Sequence, residues 1–147
     1  MTLNRRMPPP LRSMGDFQIV RPERSRMKNG MPLNVIRAGS QEVVRLDILI
    51  GGGQWHQTQA LQALFANRML REGTTTMTSA QIAEKLDYYG AWLELSSAVN
   101  YGFITLYSLN KYFPSTLAII SNMLMNPAFP EKELEVVVES NRQQFLV

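Results

Sequence analysis

Residues 64–74 read LFANRMLREGT. With Leu61 just ahead, the apolar residues Leu64, Phe65 and Met69 fall at i, i+3, i+4 and i+8, one face of a helix. Gly73 is a natural stop, because it enters the left-handed conformation without a Cβ penalty. The spacing predicts a helix over 57–72. Its polar residues include Asn67, Arg68, Arg71 and Glu72, but neither histidine nor cysteine lies between 64 and 74.

Toward the C-terminus, a second helix opens at Thr78-Ser79-Ala80-Gln81, a capping box in which Thr78 and Gln81 satisfy each other's backbone donors. It turns Ile82, Leu86 and Tyr89 inward and stops at Gly90. Strands over 91–98 and 102–109, joined by a short turn, should pair as an antiparallel hairpin. A third helix over 111–125 has Pro114 in its first turn, and Leu117, Ile120 and Leu124 are its expected buried stripe. Pro127 lies just beyond. A fourth helix opens at Pro130-Glu131, with Glu131 and Glu133 where the helix dipole favours anions. Leu134, Val137, Val138 and Phe145 share one of its faces. No stop follows before Val147, so a domain incomplete at its C-terminus is expected.

Toward the N-terminus, strands over 33–38 and 43–50 flank a turn at Gly39-Ser40. The second alternates, with Val44, Leu46, Ile48 and Ile50 on one face and Arg45 and Asp47 on the other. Gly51-Gly52-Gly53 ends it. A phosphate loop needs a following Gly-Lys-Ser/Thr, which is absent, so the run reads as a strand exit. Lys28-Asn29-Gly30 is a turn signal, and residues 1–27 form an extended basic lead-in. The order β-β-α-α-β-β-α-α over 28–147 is that of an α+β domain, an antiparallel or mixed sheet covered by helices.

Composition excludes several chemistries. The 147 residues suffice for one domain with a real core. With no cysteine there is no disulfide scaffold, cysteine-zinc site or thiol nucleophile. The only histidine is His56, whereas a mononuclear catalytic zinc usually draws on two or three. His56 and Trp55 read as structural or surface residues, and the nine methionines as core filler. One histidine also leaves serine chemistry without a base partner. Glu131, Glu133, Glu135 and Glu139 read as a solvated helix face rather than a carboxylate pair. No stretch approaches the roughly 20 apolar residues of a membrane span. Arg5 and Arg6 are followed by prolines rather than an apolar run, so no secretory signal is read. The compartment stays open between cytoplasm and periplasm. The net charge of +3 is concentrated in residues 1–30, which carry +5, and the remainder carries −2. That is a solvated basic tail rather than a nucleic-acid footprint.

Five phrases occur in order. They are Lys28-Asn29-Gly30-Met31-Pro32, the strand ending at Gly51, and Met69-Leu70 followed by Gly73-Thr74. Then come Tyr89-Gly90-Ala91 ahead of Ser96-Ser97, and Asn126-Pro127-Ala128-Phe129-Pro130-Glu131-Lys132-Glu133. At this spacing they resemble the M16 metallopeptidases, the insulinase and processing-peptidase family, over about residues 27–145. Active members carry His-x-x-Glu-His just before Met-Leu-x-x-Gly-Thr. Two histidines one turn apart grip zinc, the glutamate activates a bound water, and a later helix adds a glutamate ligand.

Laid on this chain, the resemblance puts Leu64 and Arg68 at the histidine positions, Asn67 at the base and Gln144 near the downstream ligand. Leucine offers no lone pair, asparagine is a poor base, arginine stays protonated, and glutamine is a weak neutral ligand. The resemblance therefore implies a non-catalytic homologue with no catalytic residue or metal ligand of its own. Zinc is expected in a catalytic partner, either an M16 subunit or a second half of the same protein. Two such halves would face each other around a peptide, in a homo- or hetero-oligomer. A structural assembly domain is one alternative, and an active peptidase whose metal site lies outside this chain is another.

Arg68 either covers core with its aliphatic stem or reaches a substrate carboxylate or carbonyl. The strand over 91–98 resembles the family's edge strand, on which peptides add. Leu93, Leu95 and Ser97 occupy one face, and Trp92, Glu94 and Ser96 the other. Arg68, Leu93, Leu95, Ser96 and Ser97 are thus the candidate substrate-binding set, with plain sheet packing as the other reading of the strand. Asn67 is expected on the surface or helix flank.

Overall fold

The computed structural model describes Gly15 and residues 18–146. Its contacts divide into two units, Met1–Ser40 and Gln41–Val147. In the first, β1 (Glu23–Arg26) pairs antiparallel with β2 (Pro32–Val35). Their turn is the one expected at Lys28-Asn29-Gly30. Gly30 takes φ +84°, and Asn29 Oδ1 accepts from Met31 N at 3.1 Å, an Asx-turn bond. β1 lies inside the stretch read as a lead-in. Its sequence, ERSR, is polar on both faces and therefore has no apolar alternation to announce a strand. β2 turns back on β1 rather than pairing across Gly39-Ser40. Residues 1–14, 16 and 17 of that lead-in lie outside the described residues, as does Val147.

The second unit holds an antiparallel sheet in the order β3-β5-β4, from β3 (Val43–Gly51), β4 (Trp92–Ser97) and β5 (Tyr101–Leu109). Leu46 and Ile48 sit opposite Leu106 and Ile104, which in turn sit opposite Leu93 and Leu95. This is the inner face. On the outer face Arg45 pairs with Asp47 at 2.9 Å, and Thr105 donates to Asp47 at 2.8 Å.

Four helices complete the unit: α1 (Gln62–Met69), α2 (Ser79–Tyr88), α3 (Phe113–Met125) and α4 (Glu131–Leu146). Ile82 and Leu86 of α2 and Ile119, Ile120 and Met123 of α3 bury themselves against Ile104 and Leu106. Each such side chain is worth about 1.5–3 kcal/mol relative to exposure. The predicted capping box is present, with Thr78 N donating to Gln81 Oε1 at 2.9 Å and Gln81 N to Thr78 Oγ1 at 3.3 Å. No helix among the described residues is long and apolar enough to cross a membrane.

Three details differ from the sequence expectation. α1 starts at Gln62 rather than 57, because Leu61 takes φ +66°. Gln62 Oε1 accepts from Thr58 N and Oγ1 at 2.9 and 3.1 Å, and Gln57 Oε1 accepts from Ala63 N at 3.4 Å. These side-chain bonds replace helical backbone bonds ahead of the first turn. In α3 the buried face is Thr116, Ile119, Ile120 and Met123, while Leu117 is exposed and Leu124 half-buried. Thr116 holds a core position because its hydroxyl bonds Ser108 Oγ at 3.0 Å and the carbonyls of Tyr112 and Phe113. The apolar face of α4 is open: Leu134, Val138 and Phe145 are exposed, and α4 has no buried residue.

Candidate functional site

α1 is anchored by Met69, 1 % exposed, with Leu64 and Phe65 half-buried. Asn67, one turn after Leu64, is not on the surface as its polarity predicted. It is 8 % exposed, and its Nδ2 donates to the carbonyls of Ser96 in β4 and Phe103 in β5. Gly102 makes this possible, since a Cβ there would lie 3.0 Å from Asn67 Nδ2. Arg68 points to α4, where its Nη1 donates to Asn141 Oδ1 at 2.9 Å. Gln144 follows Asn141 by three residues, on the same helical face, and is exposed.

α1 thus lies beside α4 through Arg68, on the segment that carries Gln144, while Asn67 turns to the sheet. The set Leu64, Asn67, Arg68 and Gln144 does not fit a zinc ion. It offers a hydrocarbon, a buried neutral carboxamide, a fixed cation and a second neutral amide. Among the described residues no group of three or more His, Cys, Asp or Glu could hold a metal.

What the arrangement does form is a cleft of about 650 Å³, with Arg68, Ile82, Leu86, Leu93, Leu95 and Val137 among its lining residues. The structure therefore brings Arg68, Leu93 and Leu95 to one place. Ser96 and Ser97 do not line it: Ser96 is exposed, on the outer face, and Ser97 turns inward, half-buried. Within the described sheet β4 is an edge strand. Ala98 N donates to Tyr101 O at 2.9 Å. By antiparallel alternation the hydrogen-bonded pairs continue at Ser96–Phe103, Glu94–Thr105 and Trp92–Tyr107. The backbone groups of Leu93, Leu95 and Ser97 therefore face the open edge.

The loop after α1 is fixed by Thr74, 7 % exposed. Its Oγ1 accepts from Thr76 N at 3.2 Å, Met77 N at 2.9 Å and Asn122 Nδ2 at 3.3 Å. Thr75 N donates to Asn126 O at 2.9 Å, and Ala128 N to Gly73 O at 3.1 Å. The Gly73-Thr74 and Asn126-Pro127 phrases, far apart in sequence, are clipped together.

Glu72, also in the cleft wall, has its carboxyl raised above the ordinary range. Burial is the main cause and Glu133 adds to it, while Arg71, 3.9 Å away, opposes. The folded state thus binds this proton more tightly than the unfolded chain does. The penalty is absent at low pH and appears as pH rises through that raised range. Glu72→Gln should therefore raise the melting temperature at neutral pH and lose this advantage near pH 4, about where carboxyls titrate. Thermal scans at both values check this.

Sequence reasoning missed Asn67 and Asn141 as packing partners. The one available signal was Gly102, a glycine inside a strand, which marks close approach of another group.

A family model described as insulinase, peptidase family M16, matches residues 35–145. An uncharacterised zinc protease of Rickettsia bellii (strain RML369-C) is 27% identical over 116 residues, which is 75% of this chain and 27% of that protein. A crystal structure of a peptidase M16 inactive domain from Pseudomonas fluorescens superposes with a TM-score of 0.75 at 20% identity, over 81% of this chain and 30% of that one. A protease from Helicobacter pylori gives 0.74 at 14% identity, over 86% and 32%. The α+β fold is shared with these structures, and this chain spans about a third or less of each relative's length.

Proposed function

Because the chain belongs to the insulinase family of M16 peptidases, we propose that it is a non-catalytic member that holds extended peptide within a chamber completed by a zinc-bearing partner. That partner is a separate subunit or a second half of the same protein. The observation that carries this reading is the open edge of β4 alongside the cleft that Arg68 lines. An unpaired edge offers N–H and C=O groups to an added strand, and the apolar floor takes a side chain. The replacement of all four metal-site positions supports the non-catalytic part, as does the likeness to a domain described as inactive. The open apolar face of α4 favours a covering element, from another subunit or from another part of the same protein.

Leu95→Pro tests the peptide part. The Leu95 N–H faces the open edge, so proline there removes a donor from the edge while the bonds to β5 stay, a position where a strand tolerates proline. Binding of a labelled unfolded peptide should weaken by about tenfold or more, from one lost hydrogen bond together with the Leu95 side chain removed from the cleft floor, with the circular dichroism spectrum unchanged. Unchanged affinity would remove the edge from the reading. Retention of a protein partner with no peptide binding would favour a scaffold. Stoichiometric zinc with chelator-sensitive cleavage by this chain alone would overturn the non-catalytic assignment.

A further inference from the structure

Four charged side chains line the cleft beside β4: Arg68, Arg71, Glu72 and Asp87. They are not equivalent. Arg71 lies 3.9 Å from Glu72, and both Arg71 and Asp87 are exposed. Arg68 is half-buried, and among the described residues no carboxylate pairs with it. Its Nη1 donates to Asn141 Oδ1, a neutral acceptor. A guanidinium carries five N–H donors in a fixed fork, so most of this one stays uncommitted. Around it stand the apolar side chains of Ile82, Leu86, Leu93 and Leu95. In such surroundings an ionic hydrogen bond is stronger than in water, and the planar fork matches a carboxylate through two parallel N–H···O bonds.

The edge of β4 decides which part of a peptide arrives there. Leu93 and Leu95 lie on the inner face, and their backbone groups face the open edge. A strand paired with that edge sends alternate side chains to the inner face, as β4 itself does. Its main-chain groups are taken up by β4, and its remaining side chains turn to the outer face. The inner side chains therefore share the cleft with Arg68.

We propose that the cleft selects extended peptides in which an acidic side chain and an apolar one occupy alternate positions on the inner face. Arg68 binds the carboxylate, and Ile82, Leu93 and Leu95 receive the apolar side chain. Glutamate suits the site better than aspartate, because its longer stem covers apolar wall before the charge reaches the guanidinium. This names a substrate class for the peptide-holding reading and rests on it.

Fluorescence anisotropy with the protein tests it. Labelled host peptides with amidated ends carry a leucine and, two positions before or after it, either glutamate or glutamine. The wild type should hold one glutamate peptide about tenfold more tightly than its glutamine twin, the worth of a charge-assisted hydrogen bond. Added salt should narrow the gap. Arg68→Gln should erase the preference while the glutamine peptide binds as before and the circular dichroism spectrum is unchanged. Arg68→Lys, which keeps the charge without the fork, should retain part of the preference, and it reads the site if Arg68→Gln does not fold. Equal affinities for the glutamate and glutamine peptides would overturn this inference and leave the peptide reading standing, whereas no binding of any host would remove both. A preference that survives Arg68→Gln would also overturn it. So would a glutamine host with a free C-terminal carboxylate that matches the glutamate peptide, since the carboxylate recognised would then belong to a chain end.

Discussion

Gly53→Ala should cost the β3-β5-β4 unit more than about 3 kcal/mol, at or beyond the usual range for overpacking a filled site. The cause is collision rather than backbone conformation, because Gly53 sits at φ −71°, open to any residue. A Cβ there would overlap the carbonyl oxygen of Ala98 and lie 2.5 Å from Tyr101 N and 2.7 Å from the Asn100 carbonyl carbon. All three are backbone atoms of the β4–β5 turn. That turn cannot easily retreat, because Gly53 N donates to Asn100 O at 3.2 Å, Gln54 N to Ala98 O at 3.0 Å and Trp55 N to Val99 O at 2.8 Å. Moving it away breaks those bonds and pulls on the edge strand. Gly51→Ala is the control, since a Cβ at Gly51 meets nothing within 4 Å. Thermal unfolding followed by circular dichroism should separate the two variants widely, and equal melting temperatures would refute the argument.

Thr74→Val is the second large effect, about 2–3 kcal/mol. The substitution keeps shape and volume but deletes the acceptor shared by Thr76 N, Met77 N and Asn122 Nδ2. A buried donor left without a partner costs about 1–3 kcal/mol, and Thr74 is nearly sealed from water that might substitute. Urea titration should show the loss as a lower midpoint. Thr74→Ser, which retains the oxygen, should recover most of it, and Thr75→Val at the exposed neighbouring position should cost little. A Thr74→Val midpoint matching wild type would mean the hydroxyl holds nothing in place.

Much of this architecture could be read from the chain because local chemistry and global packing agree. Thr78 and Gln81 announce α2, Gly90 at φ +59° ends it, and the alternation through Val44, Leu46 and Ile48 places the inner face of β3. Sequence pattern and structure part where a side chain departs from its usual habit. Periodicity carried α1 back to residue 57 because nothing in a leucine signals that Leu61 will turn left-handed. Threonine is a poor core candidate by composition, yet Thr116 is fully buried because Ser108 and two carbonyls satisfy it.

The candidate site was legible in its losses and not in its replacements. That Leu64 and Arg68 offer a zinc ion no donor, and Gln144 only a weak neutral oxygen, follows from their functional groups alone. That Asn67 would become a sheet-binding clamp depends on Gly102, 35 residues away and without a side chain to show the pairing. Likewise the partner of Arg68, Asn141, is set by how α1 and α4 cross, which no local pattern encodes.

The clip between Gly73-Thr74 and Asn126-Pro127 bears on how such chains should be recognised. The two phrases are joined by backbone and hydroxyl bonds that involve none of Leu64, Asn67, Arg68 and Gln144. They constrain each other whether or not a metal is ever bound. A survey that gathers proteins by Met-Leu-x-x-Gly-Thr therefore collects an architecture, whatever residues stand ahead of the phrase. Sorting a catalytic chain from a non-catalytic one requires the four residues that precede and answer that phrase.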